Sequence, residues 1–374
     1  MGPLRGIRVL EVAGQGPGPF AAMVLADLGA EVIRVERPNP LDIKDAVVRS
    51  RRIVGLDLKR ADGAQVFLRL AASCDVLIEG FRPGAMERLG LGPQDCLAAN
   101  PRLIYGRMTG WGQDGPYAQA PGHDINYIAL AGVLAHLGRA GSPPTPPLNL
   151  LADYGGGGML LAVGILAALI ETARSGQGQV IDAAMVDGSA LLMTFAWTLH
   201  HKGQLGGPRG TNILDSGAPF YDVYECADGA YISVGSVEPQ FYDELLRVTG
   251  LDGDPLMSGQ YDPSLWPEQK KRLADVILSR TSLEWRKAME NVQVCFAPVL
   301  DMTQAARHPH NVARGTFVEV GGMTQPAPAP RFSRTALDGP RVPRQGTDET
   351  RSILADAGYT TEEIESLIES GTAR

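Results

Sequence analysis

The sequence predicts an α/β protein: a Rossmann-like large domain on a mainly parallel sheet, joined to a smaller α+β domain. Three observations carry this. Short apolar runs of strand type alternate with helical segments up to about residue 200. A Gly-rich stretch, Gly203 to Gly217, interrupts the alternation. Beyond it, Asp228-Gly229 sits between two alternating runs, a hairpin signal, and helices then dominate.

Ile7–Ala13 (IRVLEVA) is the first strand, followed by a Gly/Pro loop, Gly14–Pro19, and a helix from Phe20 to Leu28 closed by Gly29. Glu31–Arg37 is the second strand, so the opening is a βαβ unit with a right-handed crossover. The loop lacks the G-x-G-x-x-G spacing, and Pro17 and Pro19 remove amides that a pyrophosphate would need, which disfavours nicotinamide or flavin binding. A helix over 62–73, strands over 75–79 and 103–108, helices over 125–137 and 158–173, a strand over 179–185 and a helix over 187–201 complete the alternation. The expected large domain is 1–202, completed by 312–374, with a linker over 203–220. The small domain spans 221–306, with strands at 221–225, 231–235 and 292–300 and helices at 240–249, 267–280 and 282–291. A return linker covers 307–340. Tail helices at 348–357 and 362–369, the second with a Thr360/Glu363 capping box, pack back on the large domain.

Of the 374 residues 44% are hydrophobic, enough for a sizeable core. The net charge of -8 argues against a general nucleic-acid binder. Cys74, Cys96, Cys226 and Cys295 form no C-x-x-C pair, which points to a reducing compartment rather than zinc or disulfides. The opening residues lack a signal-peptide layout and Gly371–Arg374 is not a peroxisomal address, so a cytoplasmic location is expected. The longest apolar run, Met159–Ile170, is too short to span a bilayer and reads as a buried helix.

Two stretches hold candidate chemistry. In Gly122–Tyr127 (GHDINY), His123 precedes a helix and carries an imidazole, the side-chain type suited to moving protons at physiological pH. It reads as a proton carrier or as a loop residue, and Asp124 and Asn126 read equally as helix caps. Asp153 precedes four glycines, Gly155 to Gly158, at what reads as the mouth of a buried helix. It serves there as a cap, or as a proton carrier or nucleophile beside amides that hold developing charge. Glu238, before Pro239, opens a helix or orients a histidine. His136, His200, His201, His308 and His310 lack companions at metal-ligand spacing. No G-x-S-x-G elbow or Walker loop is present.

Taken together, Gly18–Ala30, Arg34–Pro38, Leu56–Lys59, Gly122–Tyr127, Pro147–Asp153, Gly178–Asp182 and Glu238–Tyr242 resemble the α-methylacyl-CoA racemases of the family III CoA-transferase superfamily. The resemblance spans most of the chain in order, and GHDINY separates racemases from transferases. It implies an interlocked homodimer, with the site between the large domain of one subunit and the small domain of the other. It implies His123 and Asp153 as the two acid/base residues, with Glu238 supporting His123. It also implies contacts to a 2-methylacyl-CoA substrate at Arg37, Leu56, Asp57, Leu58, Lys59, Gly122, Asp124, Ile125, Asn126 and Tyr127, and a weaker one at Arg88. No metal or organic cofactor is required, since the CoA moiety belongs to the substrate.

For such chemistry, one base on each face of the α-carbon removes and returns a proton through an enolate. Asp153 would need a raised pKa, and the Gly155–Gly158 amides would hold the enolate charge. The alternative is a CoA-transferase in which Asp153 attacks the thioester as nucleophile.

Overall fold

A computed structural model describes residues 2–38 and 45–374. The chain forms two compact units. One comprises Met1–Ala131, Leu148–Leu192 and Pro309–Arg374, and the other Gly132–Pro147 and Met193–His308. The segments 132–147 and 193–202, expected in the large domain, group with the second unit.

The first unit is built on six parallel strands: β1 (Arg8–Val12), β2 (Glu31–Glu36), β3 (Arg51–Gly55), β4 (Val76–Glu79), β5 (Ile104–Thr109) and β6 (Gln179–Ala184). Their order is β3-β2-β1-β4-β5-β6. The chain leaves β1 in one direction for β2 and β3 and returns on the other side for β4. The ends of β1 and β4 therefore diverge, and this switch point is where parallel sheets bind ligands.

Strand β3 was not expected, because it opens on two arginines, Arg51 and Arg52. All five of its residues are buried. Arg51 Nε donates to Glu11 Oε2 at 2.9 Å, and Arg34 of β2 pairs with the other Glu11 oxygen. The same guanidiniums reach the segment after β1: Arg34 donates to the Gly14 carbonyl at 3.3 Å, and Arg51 to that of Pro19, in the first turn of the helix Pro17–Asp27, at 2.8 Å. A buried charge network thus props the loop at the switch point.

The core lies between the sheet and the helices Ala61–Ala72, Thr347–Asp356 and Thr361–Glu369, with Leu10, Ile33, Phe67, Leu77, Ile353, Leu354 and Ile364 packed together. The tail therefore packs back on this unit as expected. Thr360 N–H donates to Glu363 at 2.8 Å and Glu363 N–H to Thr360 Oγ1 at 3.2 Å, forming the expected capping box. A second hairpin, β10 (Phe317–Val320) and β11 (Met323–Pro326), turns on Gly321 and Gly322 and was not expected. The other three strands, β7 (Tyr221–Glu225), β8 (Tyr231–Gly235) and β9 (Phe296–Pro298), form an antiparallel sheet in the second unit. There the expected hairpin is present, with Glu225 opposite Tyr231, while β9 is shorter than the expected 292–300. Its core gathers Phe220, Trp266, Trp285 and Leu245.

Three expected helices differ. The helix expected over 125–137 spans Asp124–Leu130 and stops before Gly132, whose φ is +81°. The one expected over 187–201 divides into Met185–Leu192 and Thr194–His201. The helix expected from Gly158 begins at Leu150, runs ten residues in π winding to Met159, and continues as α-helix from Leu160 to Ser175. By length and apolarity this continuous helix of 26 residues could cross a membrane, contrary to the expectation from Met159–Ile170. One face of it packs into the first unit, with Leu161, Ala162, Ile165 and Ala168 buried, while Val163 and Ile170 are exposed. A Cβ on Gly106 of β5 would stand 3.1 Å from Leu161 and 3.7 Å from Ile165.

Candidate active site

Four segments meet at the end of the parallel sheet where the strands stop. They are the loop after β1, the turn after β4, the loop after β5 and the start of the π segment.

Aromatic packing sets the His123 segment. Tyr127 is buried, and its hydroxyl donates to the Gly122 carbonyl at 2.5 Å. Its ring meets Trp111 edge-on at 4.7 Å, the residue just after β5 and Gly110. Any Cβ on Gly110 would stand 2.2 Å from that ring, and one on Gly122 2.8 Å, so both positions need glycine. With the ring seated, His123 is the N-cap of the helix Asp124–Leu130, in extended backbone at φ -131°. Its N–H donates to Asn126 Oδ1 at 3.0 Å. His123, Ile125 and Asn126 are left exposed, whereas Asp124 is buried.

Asp153 stands in the first turn of the π segment. Asn149 Nδ2 donates to its Oδ2 at 3.1 Å. Gly16, at the end of the loop after β1, approaches so closely that a Cβ there would lie 3.1 Å from Asp153 Oδ2. Next to it, Tyr154 stacks on Phe20 at 4.6 Å. Burial, the largest effect, holds the Asp153 carboxyl above the ordinary carboxylate range. Asn149's hydrogen bond opposes that rise, the Asp124 charge adds to it, and His123 lowers it. The charge of His123 thus reaches the Asp153 carboxyl across 30 residues of sequence.

Asp124 links the two segments directly. Its Oδ2 accepts the N–H groups of Ala152 at 2.7 Å and of Asp153 at 2.8 Å. These are two of the free amides with which the π segment begins.

Gly155–Gly158 correct an expectation. The helix starts at Leu150, eight residues earlier than expected, so these glycines are inside it and their amides belong to its ladder. They are therefore not the helix mouth that the sequence suggested. Glycine is needed for close packing instead. A Cβ on Gly156 would fall 2.6 Å from Ser189 N, one on Gly157 2.9 Å from Met185, and one on Gly158 2.6 Å from the Pro17 carbonyl oxygen.

The remaining expected contacts fall in two groups. Arg37 follows β2 and Lys59 follows β3, both exposed at the same end of the sheet. Asp57 accepts the Lys59 N–H at 3.0 Å, and Leu58 packs on the core. Leu56 is 2% exposed and its N–H bonds the Glu36 carbonyl, so its side chain offers nothing to a ligand. Arg88 is exposed on the short helix Ala85–Arg88. Glu238 belongs to the second unit, where it is the exposed N-cap of the helix Pro239–Thr249 without a side-chain capping bond.

Three contributors were not expected. Asn149 carries no signal in a single sequence. Gly16 was noted only as part of a loop that fails the dinucleotide pattern. Arg82, in the turn after β4, is exposed and opposes the upward push that burial exerts on the Tyr127 hydroxyl. It adds a positive charge at the switch point, and its place just after an apolar strand was the available signal.

The family model described as CoA-transferase family III matches residues 4–349. The chain is 48% identical to the alpha-methylacyl-CoA racemase of Mus musculus, over 96% of this chain and 95% of that protein. It is 45% identical to the Homo sapiens protein of the same name, over 97% and 96%. Among solved structures, it is similar to a CAIB/BAIF family protein from Brucella suis with a TM-score of 0.80. That match has 26% identity and covers 95% of this chain and 99% of that one.

Proposed function

The chain belongs to CoA-transferase family III, and on that premise we propose that it is an isomerase that interconverts (2R)- and (2S)-2-methylacyl-CoA thioesters. The observation that carries this reading is the pairing of His123 with a half-buried Asp153 whose carboxyl is held above its ordinary range. Relatives at 45% and 48% identity are named as racemases of this kind.

Racemisation takes the α-proton from one face of the carbon and returns one to the other. A planar enolate lies between, so one proton carrier per face is the economical arrangement. In one direction neutral His123 takes the proton while protonated Asp153 stands ready to give one. In the reverse direction the Asp153 carboxylate takes it and the His123 imidazolium gives. Both directions need Asp153 to bind a proton near working pH, which burial favours. Gly16 beside Asp153 leaves room for the acyl carbon to approach. Arg37 and Lys59, exposed at the same sheet end, suit the phosphates of the CoA moiety. The reaction needs no metal or further cofactor, because the thioester itself acidifies the α-carbon.

The working form in this reading is the interlocked homodimer, with Glu238 of one subunit supporting His123 of the other. Exposed apolar side chains support it: Val163, Ile170, Leu191 and Leu192 in the first unit, and Phe195 and Trp197 in the second. The four cysteines are free, which suits the expected cytoplasmic location.

The test is deuterium wash-in at the α-carbon of 2-methylacyl-CoA in deuterated water, with no acid acceptor present. Exchange with loss of optical purity is expected. Absence of exchange, together with an acyl group on Asp153 trapped by hydroxylamine, would establish the transferase instead.

A further inference from the structure

Asp124 combines three properties that a substrate contact or an ordinary helix cap does not need together. It is only 4% exposed. One of its oxygens accepts two amides from a segment nearly thirty residues away, at 2.7 and 2.8 Å. Its other oxygen, Oδ1, is buried with no hydrogen-bond partner among the described residues.

A cap normally satisfies its own helix. Asp124 instead caps the helix that carries Asp153, while its backbone follows His123 directly. We propose that Asp124 is a positioning residue of the two-base site, its carboxylate locking the start of the Asp153 helix onto the segment that carries His123. This rests on the racemase reading and deepens it: the start of the Asp153 helix cannot move away from the His123 segment without stretching its bonds to Asp124.

Charge is the second half of the role. A capped carboxylate with an unneutralised oxygen adds negative charge close to Asp153, and the Asp124 charge raises the Asp153 carboxyl further. The other groups facing Asp153 are few. From the Asp124 segment come His123, which lowers it, and the Tyr127 hydroxyl, itself pushed up first by burial and then by the Asp153 charge. From the loop after β1 comes Gly16, which does not titrate, while Pro17 and Phe20 pack against Gly158 and Tyr154. Asp187, in the helix Met185–Leu192, is exposed. Arg82 acts on Tyr127.

The experiment compares the wild-type chain with Asp124→Asn and Asp124→Ala. Asparagine keeps an oxygen for the two amides and removes the charge, whereas alanine removes both. The first readout is kcat and KM for α-proton exchange against pH with a 2-methylacyl-CoA ester. Asp124→Asn is expected to keep KM within about twofold. In the direction that starts from protonated Asp153, it should move the high-pH fall of kcat downward by about one unit, as loss of a neighbouring like charge requires. Asp124→Ala should lose about 100-fold in kcat, the scale expected when a catalytic group is misplaced by an ångström. The second readout needs no activity: carbon-13 NMR titration of the Asp153 carboxyl without substrate, assigned by its loss in Asp153→Asn. Its midpoint should fall in Asp124→Asn. An unchanged midpoint and pH profile, or an Asp124→Ala protein with wild-type kcat, overturns the proposal. If the wild-type protein exchanges no proton, the racemase reading fails on its own, and the NMR titration still decides the role of Asp124.

Discussion

The tightest contact behind the site is between two glycines, and Gly188→Ala tests what it does. Gly188, in the helix Met185–Leu192, faces Gly156 of the π segment. A Cβ at 188 would lie 1.8 Å from the Gly156 carbonyl oxygen, 2.5 Å from its carbon and 2.7 Å from its Cα. All three are backbone atoms, so no rotamer change relieves the clash. Ordinary contact begins at 3.4 Å, and the two helices must therefore part by roughly 1.6 Å. Overpacking costs about 1–3 kcal/mol, and a backbone clash belongs near the upper figure. About 3 kcal/mol lowers Tm by about 6–12 °C in a unit of this size. Asp153 is three residues from Gly156 and moves with it, and a displacement near an ångström costs about 100-fold in rate. The assays are deuterium wash-in and thermal unfolding. The control is Gly164→Ala in the same long helix, where a Cβ would meet Ile181 at an ordinary 3.4 Å. It should keep activity and gain about 0.4–1 kcal/mol from the stiffer unfolded chain. A Gly188→Ala protein with wild-type Tm and exchange, or a Gly164→Ala protein equally damaged, would refute the packing account.

Other expectations follow from the same geometry. His123→Ala should slow α-proton exchange by about 10²–10⁴-fold with little change in Tm, because the imidazole is exposed and its removal costs only the proton transfer. Asp153→Asn should abolish exchange yet unfold at or above the wild-type temperature at pH 7. The folded-state pKa of Asp153 is raised, so ionising it in the folded state works against stability. That penalty is absent below the unfolded value and complete above the raised folded one. The variant's advantage should therefore shrink as pH falls through this window, and differential scanning calorimetry from pH 7 to pH 3 checks it. Glu11→Ala should cost about 3–5 kcal/mol in chemical denaturation, because it leaves Arg51, 1% exposed, without its carboxylate. Glu11→Gln giving wild-type stability would show that charge pairing is not what matters there.

Much of the first unit was legible because apolar runs and glycine punctuation mark β1, β2, β4, β5 and β6 one at a time. Strand β3 was hidden because Arg51 and Arg52 read as surface residues, and only the sheet reveals Glu11, Glu31 and Glu349 waiting for them. The hairpin β10–β11 was hidden in a tail that reads as Pro-rich linker. His123 and Asp153 were visible as residue types beside glycines, and the resemblance paired them. The helix start expected at Gly155–Gly158 was misplaced for a local reason. Four consecutive glycines suggest a helix start, since glycine is costly inside a helix. Here that cost is offset by backbone-to-backbone packing against Gly188 and Pro17, which no single-sequence pattern encodes. A cap was one of two readings of Asp124, and the helix whose amides it accepts is not its own.

Strand β6 ends the sheet. It is bonded to β5 on one side, and Gln179, Val180 and Asp182 are exposed along it. The chain passes from β6 directly into the helix that carries Gly188. This exposed edge strand is therefore joined to the helix that packs Gly188 against Gly156, three residues from Asp153. Opening at that edge would withdraw that helix while β1 to β5 and the core beneath them stayed folded. Catalytic competence then has its own melting point, set by one edge strand and below that of the fold. Gentle heat would silence the enzyme before it unfolds it, and cooling would restore it.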